Sequence, residues 1–125
     1  MSTQSNISDY FTVTQNGQEL FETDHIAVKQ EQGYITIEGS KELGFPNGQA
    51  IKLTIDPSTP DGEHEFKSGE KLMEVFYLNV KGTQYAYRGT FNSELDNTNR
   101  KYRIGFVLDF HGHHDPIQVQ LDVSG

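Results

Sequence analysis

Residues 72–123, LMEVFYLNVKGTQYAYRGTFNSELDNTNRKYRIGFVLDFHGHHDPIQVQLDV, decide the fold. Apolar residues recur there with period two: Leu72, Phe76, Leu78 and Val80; then Tyr85, Tyr87 and Phe91; then Tyr102, Ile104, Phe106, Leu108 and Phe110; then Ile117, Val119, Leu121 and Val123. Successive side chains of a strand point to opposite faces, so each set marks one face of an extended segment. The segments are joined by turn-forming residues, which predicts a four-stranded antiparallel meander. A two-residue Lys81-Gly82 turn sets Leu78 opposite Tyr85 and Phe76 opposite Tyr87. The loop from Asn92 to Asn99 sets Tyr87 opposite Ile104, and the loop from His111 to Pro116 sets Leu108 opposite Val119. A slip of one residue would carry a whole apolar set to the other face, so three turns that agree on one inner face restrict one another. On this reading Phe76, Tyr85, Tyr87, Tyr102 and Phe106 form an inward aromatic set.

Upstream of the meander the same logic predicts further short strands. Residues 1–9 are polar and unpatterned and read as a disordered tail, leaving residues 10–125 as one all-β domain. Tyr10 to Gln15 alternates and ends at Asn16-Gly17, a strong hairpin signal because a type I′ turn needs positive φ at both central residues. That turn sets Val13 opposite Leu20. Ile26 to Gln30 and Tyr34 to Glu38 pair around Glu31-Gln32-Gly33, with Val28 opposite Ile35 and Ile26 opposite Ile37. Gly39 to Gly48 is rich in turn formers and reads as a long loop. Gln49 to Ile55 alternates again, and the two prolines of 56–62 exclude a central strand there. Glu63 to Lys67 is a short strand with His64 and Phe66 on one face.

The total is about nine or ten short strands with little or no helix. That count predicts an all-β fold, either an antiparallel meander-rich β-sandwich or an up-and-down β-barrel. In strand count and turn placement the chain is similar in a general way to the small lipocalin-like or sandwich domains of bacteria, a likeness that implies an architecture and no activity.

The chain has 125 residues and a formal charge of −8, from 18 acidic and 10 basic side chains. A negative field repels phosphate backbones and anionic lipid, so neither nucleic acid nor membrane is an expected partner. With no cysteine the chain has no disulfide, thiolate nucleophile or thiolate metal ligand. It carries no apolar run of the roughly 20 residues that span a bilayer and no basic-then-apolar leader, so cytoplasmic is the default and a secreted protein with its leader removed would look the same.

Several stretches carry side chains capable of chemistry. His111, His113 and Asp115 alternate in a loop and are ligand types for zinc, nickel or copper; a solvated loop is the structural alternative, and no cofactor is otherwise expected. His64 lies on the apolar face of its strand, where it either donates to a backbone carbonyl or meets Glu74 as an acid–base pair. Arg88 should face Arg103 across the ladder, which calls for a carboxylate such as Glu94 or Asp109 between them. The acidic groups Asp56, Asp61, Glu63, Glu65 and Glu94, Asp96, Asn97, Asn99 could supply oxygens to calcium, without the spacing of an EF-hand loop. No GxSxG, P-loop or GxGxxG motif occurs.

These residues point first to a non-enzymatic binding domain. Its ligand would be a small molecule in an aromatic interior lined by His64, Glu74, Tyr85, Tyr87 and Tyr102, or a protein partner against the outward face of Val75, Tyr77 and Val107. The alternatives are a metal-dependent or acid–base enzyme using His111 to Asp115 or His64 with Glu74, and a homo-oligomeric subunit of a larger β assembly.

Overall fold

The computed structural model describes residues 9–125; of the tail expected at residues 1–9, residues 1–8 lie outside them, and Asp9 accepts a hydrogen bond from the Ser124 N–H at 3.1 Å. The described chain forms ten strands and no helix: β1 Tyr10–Gln15, β2 Gln18–Thr23, β3 Ile26–Glu31, β4 Tyr34–Lys41, β5 Gln49–Ile55, β6 Gly62–Glu65, β7 Leu72–Asn79, β8 Gly82–Asp96, β9 Lys101–Phe110 and β10 Ile117–Ser124. All pairings are antiparallel, in the order β2-β1-β10-β9-β8-β7-β5-β4-β3, with β6 beside β8.

Read as a circle, that order is the order of the chain. The first strand pairs with the last, and the ladder is open only between β2 and β3. Across the opening β2 meets β4 and the start of β5 instead: Thr23 Oγ1 donates to the Ser40 carbonyl at 2.7 Å, and the Gln49 side chain donates to the Leu20 carbonyl at 3.2 Å. The architecture is thus an up-and-down antiparallel barrel, nearly closed.

The alternation expected for β9 and β10 is observed. Tyr102, Ile104, Phe106, Leu108 and Phe110 are buried, as are Ile117, Val119, Leu121 and Val123. Their register is two residues from the expected one, with Ile117 opposite Leu108 and Val119 opposite Phe106, which leaves the faces unchanged. The β3–β4 hairpin likewise pairs Val28 with Ile37 and Ile26 with Gly39, because Gln32-Gly33 alone forms its turn. Strand β4 continues through Gly39, Ser40 and Lys41, and the following turn begins at Glu42 with φ 57°.

Three β-bulges break the expected alternation elsewhere, and a bulge changes which face the following residues occupy. Between β5 and β7 the pairing steps from Ile55↔Leu72 to Thr54↔Glu74, leaving Met73 as the extra residue. Beyond it Val75 and Tyr77 point inward, 1% and 4% exposed, and Phe76 and Glu74 point outward. Between β8 and β9 the pairing steps from Ala86↔Phe110 to Arg88↔Asp109, leaving Tyr87 as the extra residue. Before that bulge Ala86 faces the core; after it Phe91 and Ser93 do. A third bulge at Val13/Thr14 sets Val13 opposite Phe21 and not Leu20.

The interior is filled by the rings of Phe11, Phe21, Phe91, Tyr102, Phe106 and Phe110 among branched aliphatic side chains, all essentially inaccessible. Among the described residues no helix is long and apolar enough to cross a membrane.

Candidate functional site

The bulge in β8 decides where the aromatic residues go. Two expected pocket residues, Tyr85 and Tyr87, are 47% and 45% exposed on the outer face, contrary to the inward placement derived from unbroken alternation. Tyr85 precedes the bulge and shares its face with Phe76 across the ladder, the rings 5.6 Å apart and tilted by 56°. Tyr87 is the bulged residue itself. A bulge turns two consecutive side chains to the same side, so Arg88 also lies outside and its guanidinium carbon stands 5.4 Å from the Tyr87 ring centre. The other neighbour of Tyr87 is His111, stacked at 4.4 Å and 26°. The loop that carries His111 is tied to β8 by its backbone N–H, which donates to the Tyr85 carbonyl at 3.0 Å.

The result is a strip of rings along the outside of the barrel, from Phe76 through Tyr85 and Tyr87 to His111. Arg88 is held at its end by Asp109, 2.9 Å away. The sequence reading that placed Arg88 opposite Arg103 is corrected by the register: Arg88 faces Asp109, and Arg103 faces Glu94 and Asp122, at 3.5 Å and 3.3 Å. The carboxylates expected between the two cations are present, one set for each.

The expected outward face of Val75, Tyr77 and Val107 does not exist as a surface. Val75 and Tyr77 belong to the core, and only Val107 is outside. Ala86, which unbroken alternation with an inward Tyr85 and Tyr87 would place outside, packs against the core. Tyr102 is the one tyrosine of the expected pocket that lies inside, fully buried, its hydroxyl accepting a hydrogen bond from Gln30.

His64 and Glu74 are not brought together. His64 lies half-buried against the Phe91 ring, 5.1 Å between centres, and its Nε2–H donates to the Pro60 carbonyl at 2.7 Å. Glu74 is exposed on the outer face opposite Thr54, where the Met73 bulge has turned it. No ion pair joins the two among the described residues.

His111, His113 and Asp115 also diverge. His111 stacks outward on Tyr87, Asp115 accepts from the Asn16 side chain at 3.1 Å, and His113 turns in toward the barrel end between Tyr77 and Phe110. Among the described residues no three His, Asp or Glu side chains are grouped to hold a metal ion. The acidic loop residues satisfy themselves locally. Asp56 accepts from the Ser58 N–H and hydroxyl, and these bonds hold its carboxyl below the usual range; Asp96 is lowered in the same way by the Asn99 backbone and side chain.

Sequence reasoning missed two groups. One is the outer strip, whose only advance signal was Gly89, since glycine inside a strand pattern often marks a bulge. The other is the polar network around His113, built from Gln15, Asn79 and Gln84, which no motif announces. Burial pushes the His113 pKa down, and the charge of Lys81 adds to that shift.

No protein-family model matches the chain, and searches of curated proteins and of solved structures give no match.

Proposed function

We propose that this chain is a non-enzymatic binding module that engages a protein partner through the outer strip of Phe76, Tyr85, Tyr87 and His111, with Arg88 at its edge. The observation that carries the reading is the pair of tyrosines, each nearly half exposed, on the outside of a barrel whose interior is occupied by its own side chains. Tyrosine and arginine are the residues that most often dominate protein–protein binding energy, because a ring on two torsions offers a large contact area at small entropic cost. The strip is pre-ordered: Tyr87 lies between His111 and Arg88, and Arg88 is fixed by Asp109. An ordered patch loses little freedom on binding. The small-molecule version of the reading is not favoured, since Tyr85 and Tyr87 leave the interior to phenylalanine and aliphatic packing.

The test is site-specific photo-crosslinking from Thr83, which shares the outer face with Tyr85, followed by purification of the cross-linked protein and its titration. The Tyr85→Ser/Tyr87→Ser variant should fold normally, because both side chains are exposed, and should weaken that binding by about 2 kcal/mol or more, roughly thirtyfold. Unchanged affinity in the folded double variant would refute the proposal.

A further inference from the structure

His113 is held by hydrogen bonds whose directions can be worked out from fixed backbone groups at both ends. On one side the Gln15 side chain lies 2.9 Å from the Asp115 carbonyl oxygen and 3.3 Å from His113 Nδ1. A carbonyl oxygen only accepts, so the amide group facing it is the NH2. The same NH2 faces Nδ1, which must therefore be an unprotonated acceptor. On the other side the Lys81 backbone N–H donates to Asn79 Oδ1 at 2.9 Å, and Gln84 Nε2 donates to the same oxygen at 3.5 Å. That leaves Gln84 Oε1 toward His113, 3.0 Å from Nε2. Nε2 must carry the hydrogen. Two independent anchors, a carbonyl and a backbone N–H, thus specify the same neutral tautomer.

We propose that His113 is a proton-operated latch, whose protonation releases the loop between β9 and β10 from the tip of the β1–β2 hairpin. An imidazolium carries N–H on both nitrogens. Its Nδ1–H would meet the Gln15 NH2, donor against donor. Turning the Gln15 amide over removes that conflict and sets Oε1 against the Asp115 carbonyl, oxygen against oxygen, where a 2.9 Å hydrogen bond stood. In either arrangement one tie between loop and hairpin is lost. The Asn16–Asp115 bond, the other side-chain tie of this seam, is exposed, and the β1–β10 ladder, which ends at Gln15↔Ile117, stays paired, so the release is confined to residues 111–116 and the Asn16-Gly17 tip.

The surrounding groups do not compensate. Lys81, from the turn after β7, opposes a second positive charge. Tyr77, from β7, packs its ring 5.4 Å away and gives its hydroxyl to Gln49. On the loop itself, the Asp115 carboxylate is turned to Asn16, His111 to Tyr87, and His114 is exposed. The sign follows from linkage: a histidine whose folded pKa is depressed leaves stability complete above the unfolded value of about 6.5, and stability falls as pH drops through the window below it. The latch is independent of what the outer strip binds.

The experiment is a titration of the intact protein by NMR from pH 8 to pH 4.5, reading the His113 ring nitrogens together with the backbone amides of Gln15, Asn16 and residues 111–115. The expected result is an Nε2–H tautomer at pH 8, a His113 midpoint below about 6.5, and hairpin-tip amides that shift with the same midpoint. In Gln15→Glu a carboxylate replaces the donor, which should raise the His113 midpoint by about one unit or more and reverse the latch: the new carboxylate cannot donate to the Asp115 carbonyl and ties the loop only through protonated His113. An Nδ1–H tautomer, a midpoint at or above the ordinary value, or tip amides that ignore the titration would each overturn the proposal. So would a Gln15→Glu protein whose midpoint is unchanged.

Discussion

Replacing Gly39 by alanine is expected to destabilise the protein by about 1–2 kcal/mol, and the cost tests whether the ribbon of strands curls shut. Gly39 belongs to β4 and Phe11 to β1, strands that share no ladder and lie near opposite ends of the hydrogen-bonded order. A Cβ on Gly39 would stand 2.5–2.7 Å from three atoms of the Phe11 ring, well inside the 3.4–4 Å of ordinary contact. Phe11 is fully buried and cannot swing into solvent. Forcing a methyl group into a packed core costs about 1–3 kcal/mol, while the gain from a stiffer unfolded chain on Gly→Ala is about 0.4–1 kcal/mol. The steric term wins. Urea denaturation followed by far-UV circular dichroism should show the midpoint falling by roughly 0.3–2 M for a slope of about 1–3 kcal/mol per molar. Phe11→Leu also destabilises, through lost packing, but the Phe11→Leu/Gly39→Ala double variant should lose less than the sum of the singles by at least about 0.5 kcal/mol, since the smaller side chain makes room for the new methyl. A Gly39→Ala protein as stable as the parent, or strictly additive effects, would mean that β1 and β4 do not meet.

Two other substitutions probe the bulge and the hydroxyl of the buried Tyr102. Gly89→Ala should cost more than about 3 kcal/mol or abolish folding, because the residue sits at φ 142° and a Cβ there would lie 2.2 Å from the Val107 carbonyl oxygen, a backbone atom that cannot yield; expression followed by thermal melting checks this. Tyr102→Phe keeps the buried ring and removes the hydroxyl bonded to Gln30, so the loss should be about 0.5–1.5 kcal/mol by urea denaturation, and a loss above about 3 kcal/mol would mean that the hydroxyl holds more than that one bond.

The extent to which the fold was legible varies from strand to strand for a physical reason. In β9 and β10 alternation runs unbroken from Tyr102 to Phe110 and from Ile117 to Val123, and every inward residue could be named. Registers were less legible, since a shift of two residues keeps the same faces and is chosen by turn geometry: Val80 and Lys81 form the β7–β8 turn where the glycine pointed to Lys81-Gly82. In β7 and β8 the apolar residues occupy both phases, with Val75 and Tyr77 in one and Phe76 and Leu78 in the other. Hydrophobicity alone cannot choose between them. The choice is made by Met73 and Tyr87, each the extra residue of a bulge, and a bulge leaves no period-two trace.

That ambiguity and the candidate site have a common origin. A strand that buries one phase and exposes the other must be polar on the exposed side unless that side has another use. Between Phe76 and Arg88 this chain is aromatic on the outside as well, and the Tyr87 bulge sets two consecutive side chains outward where regular pairing would allow one. The arrangement has a structural requirement at Gly89, whose left-handed φ and close approach to Val107 admit no side chain. A strand built only for the core would do better with a β-branched residue there and an unbroken ladder. Retaining the bulge therefore makes physical sense for what it presents: Tyr87 stacked on His111, Arg88 fixed on Asp109, and Tyr85 beside Phe76. If Gly89→Ala could be accommodated with the ladder restored to regular pairing, Tyr87 or Arg88 would turn inward and the strip would be lost along with the bulge.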